Sequence, residues 1–140
     1  MNLPEKIVNE MYNNDAFSQW LGIKIVAVSE GYCKLKLTIR KEMLNGFQIA
    51  HGGIAYSLAD TALAFASNTR GKKCISMETS ISHTECVQNE DVLTATTEEL
   101  SQTKKTGLYL ITITNQDNTE VAFFKGTVYR TSKDWFSEDE

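Results

Sequence analysis

Hydrophobic positions along this chain change period several times. Between Pro4 and Asn13 the apolar residues Ile7, Val8, Met11 and Tyr12 recur at helical spacing, and Pro4 suits a first turn, where its missing N–H costs nothing. A second short helix is expected from Asp15 to Trp20, capped by Asp15 and ended by Gly22. The period then falls to two. Ile23 to Glu30 alternates Ile23, Ile25 and Ala27 against Lys24, Val26 and Val28. After Gly31, Tyr32 to Ile39 alternates Cys33, Leu35, Leu37 and Ile39 against Tyr32, Lys34, Lys36 and Thr38, so the two runs predict a hairpin. From Gly53 to Asn68 there is no breaker and almost no alternation. Past Gly71 four strand-like runs follow: Cys74–Thr84, Val92–Leu100, Thr106–Asn115 and Val121–Thr131, separated by polar turns. In the first of these, Ile75, Met77, Thr79, Ile81 and His83 are expected to share one side.

The middle segment organises the rest. At about 100° per residue, Ile54, Ala55, Tyr56, Leu58, Ala59, Ala62, Leu63, Phe65 and Ala66 cover an arc of roughly 200°. A surface helix carries a narrower stripe, so this one is expected to be wrapped on most sides. Ser57, Asp60, Thr61, Ala64, Ser67 and Asn68 fall on the remaining polar or small face. Six strands in one sheet can bury such a helix by curling around it. The predicted class is therefore α+β, a single domain over 1–140 with a short N-terminal helix at 4–13. A sheet of this kind leaves edge strands, and edges call for cover by partner chains.

Composition narrows the function. A net charge of −4 argues against a nucleic-acid binder, which needs a basic face to neutralise phosphates. Part of the acid lies in Ser137-Glu138-Asp139-Glu140, expected to be a frayed, solvated tail (137–140). No apolar run approaches the ~20 residues of a membrane span, and Met1-Asn2-Leu3-Pro4-Glu5-Lys6 lacks the basic start and apolar core of a signal peptide. No membrane association is expected, and the cytoplasm is the default location. Cys33, Cys74 and Cys86 include no C-x-x-C pair and suit reduced thiols. His51 and His83 are the only histidines, without metal-ligand spacing, so no metal site is expected.

Candidate chemistry concentrates where the central helix starts. The first N–H groups of a helix have no internal acceptor and carry the positive end of the dipole. At Gly52 and Gly53 no side chain keeps a ligand away from them. The corner can thus receive a carbonyl oxygen that gains negative charge, or the two glycines serve only a tight turn. Asp60 is a poor helix former in a helix expected to be buried. Either it is hydrogen-bonded to Thr61 or Ser57, or simply solvated, or it is a working carboxylate. Seven residues at ~1.5 Å rise put it roughly 10 Å from Gly53 along the helix. A general base must lie within one water of the reacting carbon. If the two features cooperate, Asp60 of one subunit must meet Gly52 and Gly53 of another across a two-fold axis.

The stretch Asn45-Gly46-x-x-x-x-His51-Gly52-Gly53-x-x-x-x-x-x-Asp60 resembles the signature of hotdog-fold acyl-CoA thioesterases, more narrowly the PaaI-like family of phenylacetic acid degradation. Phe124-Lys125-Gly126-Thr127 resembles that family's last strand, and the order of elements matches over nearly the whole chain. The resemblance implies a hotdog fold, a curved six-stranded antiparallel sheet around the long helix, assembled as a homodimer or homotetramer. It implies hydrolysis of acyl-CoA to a free acid and thiol, with coenzyme A as part of the substrate and no other cofactor. By position, the Gly52 and Gly53 amides would polarise the thioester carbonyl. Asp60 of the facing chain would act as general base or nucleophile, Asn45 would orient the loop or the water, and His51 would support the turn. Ser76 matches a position that helps place the water in some relatives, although a surface or core serine is the stronger account of it.

The chain departs from the family pattern at Glu85-Cys86, where an Arg-Pro pair is usual. Contact with the coenzyme phosphates would then fall to some of Arg70, Lys72, Lys73, Lys104, Lys105, Lys125, Arg130 and Lys133. Phe47, Tyr56 and Phe65 are candidates for an acyl pocket that takes phenylacetyl or other aryl or medium-chain groups. Two rivals stand beside the thioesterase: a hotdog module that binds acyl-CoA without hydrolysing it, and a hotdog hydratase or dehydratase, whose sites pair a His with a carboxylate at another spacing.

Overall fold

The computed structural model describes residues 1–137, so the expected acidic tail lies, from Glu138 onward, outside the described residues. Helix α1 spans Leu3–Asn13, with Asn2 accepting from the Glu5 N–H and Pro4 in the first turn. Helix α2 spans Ala16–Leu21, capped by Asp15 and closed by Gly22 in the left-handed conformation. Strands β1 (Lys24–Ser29) and β2 (Tyr32–Thr38) form the expected hairpin. Helix α3 (Gly52–Asn68) then carries the chain across the sheet to β3 (Lys72–His83), which is followed by β4 (Val92–Gln102), β5 (Thr106–Thr114) and β6 (Glu120–Asp134). The single antiparallel sheet has the order β1-β2-β4-β5-β6-β3, leaving β1 and β3 at its open edges.

Helix α3 packs against β2 to β6, and its Leu58, Ala59, Ala62 and Ala66 are each 0% exposed. One cluster joins it to Leu35, Leu37, Leu93, Ile111, Ile113 and Phe124 of the sheet and to Val8 of α1. A close approach at Gly126 of β6 permits this fit: a Cβ there would lie 2.5 Å from Leu63 Cδ2 of α3. No helix of the described residues is long and apolar enough to cross a membrane.

Three faces differ from the sequence expectation. Bulges account for two. In β1 the register slips between Ile25 and Ala27, so Val28 pairs with buried Cys33, and Val26 is 48% exposed. In β3 it slips between Ser76 and Glu78, with Met77 the extra residue. Cys74 and Ser76 therefore share the face of Thr79, Ile81 and His83. Ile75 pairs with exposed Tyr129 on the other face, and Ile75 and Met77 are 63% and 61% exposed along the open edge. The third difference is on α3. Thr61, Ser67 and Asn68 are buried, because Thr61 meets Ser18 of α2 and Asn68 bridges to β3 and Trp135. Its open side narrows to Gly52 and Gly53 at the start and to Tyr56, Ser57, Asp60 and Ala64 beyond.

Candidate active site

The loop from β2 into α3 is held by backbone bonds and by two side chains. Asn45 Oδ1 accepts from the N–H groups of Phe47 at 2.8 Å and Ile49 at 3.4 Å. The His51 N–H donates to the Met43 carbonyl at 2.8 Å, and the Ala50 N–H donates to the Val87 carbonyl at 2.8 Å. His51 is the N-cap of α3: its Nδ1 accepts from the Gly53 N–H at 2.9 Å, and its carbonyl accepts from the Ile54 N–H at 2.9 Å. An imidazole nitrogen that accepts carries no proton, so the neutral ring holds its hydrogen on Nε2. Of the two glycine amides, only that of Gly52 has no acceptor within the described residues. The Gly53 amide would first have to leave His51 to receive an oxyanion.

The sequence left Asp60 two ordinary partners, and neither holds it. Ser57 Oγ donates to the Gly53 carbonyl at 2.7 Å, and Thr61 Oγ1 meets Ser18 Oγ at 3.0 Å, which in turn donates to Asp15 Oδ2 at 2.6 Å. Asp60 has no ion pair or hydrogen bond among the described residues, yet it is half-buried. Burial, reinforced by the charge of Asp15, raises its carboxyl above the ordinary value of 3.8. Both effects penalise the ionised form. Asn45, His51, Gly52 and Gly53 thus meet at one corner, and Asp60 stands apart on the open side of α3.

Two cavities flank the corner, and His51 lines both. One, of about 330 Å³, is bounded by Asn45, Gly52, His83, Glu85 and Cys86. The other, of about 320 Å³, lies against Gly53, Ser57, Met43, Phe17 and Trp20. Phe17 and Trp20 stack with ring centroids 6.3 Å apart, and the Arg40 guanidinium lies 4.5 Å from the Trp20 centroid. The three aromatics expected to line an acyl pocket do not line either. Phe65 is 1% exposed in the core beside Tyr12, Tyr56 packs edge-on against Phe124, and Phe47 is 86% exposed.

Half of the basic residues considered for phosphate binding are engaged elsewhere. Arg70 grips Glu99 through Nε at 2.9 Å and Nη2 at 2.7 Å, and reaches Glu30 at 3.0 Å. Lys72 pairs with Asp134 at 2.8 Å, Lys73 lies 4.9 Å from the Trp135 ring centroid, and Arg130 donates to the Thr103 carbonyl at 2.7 Å. Lys104, Lys105, Lys125 and Lys133 make no ion pair among the described residues. Ser76 is exposed, and its side chain makes no hydrogen bond among them.

His83, Asp15, Phe17 and Trp20 also surround the site, and sequence reasoning had not assigned them to it. A Cβ on Gly52 would stand 3.3 Å from His83 Nε2. The available signal was phase: His83 is two residues beyond inward-facing Ile81, at the end of β3. For α2 there was no such signal, because its position over α3 depends on the Ser18–Thr61 contact, 43 residues apart.

This arrangement has close counterparts. Residues 47–122 match the model of the thioesterase superfamily. The acyl-coenzyme A thioesterase PaaI of Escherichia coli is 42% identical over 120 residues, 86% of each chain. A putative esterase of Archaeoglobus fulgidus is 38% identical over 131 residues, 94% of this chain and 85% of its own. The solved structure of the E. coli PaaI protein from the phenylacetic acid degradation operon superposes with a TM-score of 0.90 at 38% identity, covering 95% of this chain and 99% of that one. With its helix-wrapping open sheet and diglycine corner, the chain belongs to the thioesterase superfamily, in its hotdog-fold, PaaI-like branch.

Proposed function

We propose that this acyl-CoA thioesterase works at a composite site, in which the diglycine corner of one subunit faces Asp60 of a second. The observation that carries the proposal is a half-buried Asp60 without a partner among the described residues, on the open side of α3. Such a group is expensive to keep unless it has work to do. Asp60 stands roughly 10 Å along α3 from Gly53, which favours a centre shared between two chains. The same protomer leaves β3 as an open edge with Ile75 and Met77 exposed, a surface suited to pairing with a second β3 and to forming a homodimer or homotetramer.

In this scheme the thioester carbonyl oxygen points at the amides where α3 begins, so negative charge develops on it against the positive end of the helix. Asp60 takes a proton from water as the water oxygen attacks the carbonyl carbon. Collapse of the tetrahedral adduct breaks the C–S bond, and the departing thiolate takes up the proton that Asp60 removed from water, leaving acid, thiol and the Asp60 carboxylate. A carboxyl that burial raises above its ordinary value is a stronger base for this step than an exposed one. Asn45 acts by holding the loop, and His51 by capping α3. Glu85 and Cys86 stand on the cavity rim, so coenzyme phosphates are left to the unpaired lysines, Lys104, Lys105, Lys125 and Lys133. The stacked Phe17 and Trp20 suit a phenylacetyl, other aryl or medium-chain acyl group. Three free cysteines fit a cytoplasmic enzyme.

The test is thiol release over a panel of aryl, medium-chain and short acyl-CoA thioesters, run with chromatography of the purified protein. Turnover by an oligomer, highest on aryl or medium acyl groups, supports the scheme. Tight acyl-CoA binding without thiol release would establish the binding-module alternative, and an active monomer would remove the composite site.

A further inference from the structure

Resting on that function, we propose that His83 is a catalytic residue: its imidazole N–H is the second donor to the thioester oxyanion, alongside the Gly52 amide. An oxyanion hole is most effective with two donors aimed at one point. Gly53 does not supply the second here, because its N–H is bound to His51 Nδ1 at 2.9 Å. His83 is a donor that stands beside Gly52. Its Nε2 would lie 3.3 Å from a Cβ on Gly52, and its Cε1 3.5 Å, so the ring edge fills the space that a side chain at this glycine would need. Gly52 and His83 line the same cavity. His83 lies on the face of β3 that carries Ile81, at the exposed end of the strand, and its backbone is held by pairing with Ala122 of β6. Its side chain makes no hydrogen bond or ion pair among the described residues, which leaves the ring N–H available.

The imidazole keeps its proton throughout. It donates a hydrogen bond to the oxygen as the C=O bond becomes C–O⁻, and releases it when the carbonyl re-forms and the C–S bond breaks. Asp60 handles the proton of the attacking water, so the overall balance remains thioester plus water to acid plus thiol.

Three variants and a non-hydrolysable ligand test this. His83→Phe keeps a ring and removes the donor, His83→Leu removes both, and His83→Gln keeps an N–H at comparable reach. Loss of one oxyanion donor lowers kcat by about 100-fold or more. Phe and Leu are expected to show that loss with KM little changed, and Gln to recover most of it. Binding of an S-alkyl-CoA thioether, which has no carbonyl, should be unaffected in all three. Wild-type kcat in His83→Phe and His83→Leu would overturn the assignment. So would equal defects in Phe and Gln, or thioether binding weakened in step with turnover. If wild type hydrolyses acyl-CoA and Asp60→Asn does not, a silent His83→Phe removes His83 alone. If wild type releases no thiol from any thioester, the hydrolytic function falls first, and His83 with it.

Discussion

Asp60→Asn separates a working carboxylate from a structural one, because the two roles predict opposite changes in stability. The side chains are nearly isosteric, and Asp60 has no ion pair or hydrogen bond within the described residues to lose. What the substitution removes is a charge that burial and Asp15 both disfavour. An unpaired charge deep in an apolar interior costs several kcal/mol. Asp60 is only half-buried, and solvent screening reduces the gain on neutralising it to about 0.5–1 kcal/mol. The pH dependence has a definite sign. The folded carboxyl titrates above its unfolded value of 3.8, so the folded state binds the proton more tightly. Wild type therefore loses stability as pH rises from the unfolded to the folded value, and stays penalised above that. The variant lacks this term: the two proteins converge in acid and Asn gains above the folded value. Turnover moves the other way. Removing a positioned base costs about 10²–10⁴ in kcat, equivalent to about 3–5 kcal/mol of barrier. Urea melts from pH 3 to 8, paired with thiol-release kinetics, read both. An Asn variant that is less stable at pH 7, or that keeps wild-type kcat, would refute the reasoning.

Two further outcomes follow from the packing. Gly126→Ala places a Cβ 2.5 Å from Leu63 Cδ2, where ordinary contact begins near 3.4 Å, and Leu63 is 1% exposed within the core cluster. Overpacking of this kind costs about 1–3 kcal/mol, seen as a fall of about 3–12 °C in thermal melts; an unchanged melting temperature would show that α3 does not press on β6 as described. The cysteines should differ sharply toward iodoacetamide. Burial pushes the Cys33 thiol up to about 12 and it is 0% exposed, so it should stay unmodified in native protein. Exposed Cys86, on the rim of the cavity at Gly52, should be alkylated with loss of activity, and coenzyme A should protect it; peptide mass mapping that finds Cys33 labelled first would contradict this.

What the sequence determined by itself was local, or periodic over a few turns. Pro4 starts α1, Asp15 and Gly22 bound α2, and the uninterrupted apolar run after Gly53 requires a wrapped helix, because each depends on neighbours within a turn or two. The spacing of His51, Gly52, Gly53 and Asp60 on one element was legible for the same reason. Tertiary structure decided which groups were already engaged. That His51 takes the Gly53 amide was not encoded in a pattern, since it depends on the loop angle set by Met43 and Val87. Bulges at Val26 and Met77 reversed the faces that strict alternation assigned, because one unpaired residue inverts the phase of all that follow. Arg70 and Arg130 resembled free cations until Glu99 and the Thr103 carbonyl were brought to them across the sheet. His83 reached Gly52 by the same route. Thirty-one positions apart in the chain, they meet only because β3 runs antiparallel to β6 and ends beside the start of α3.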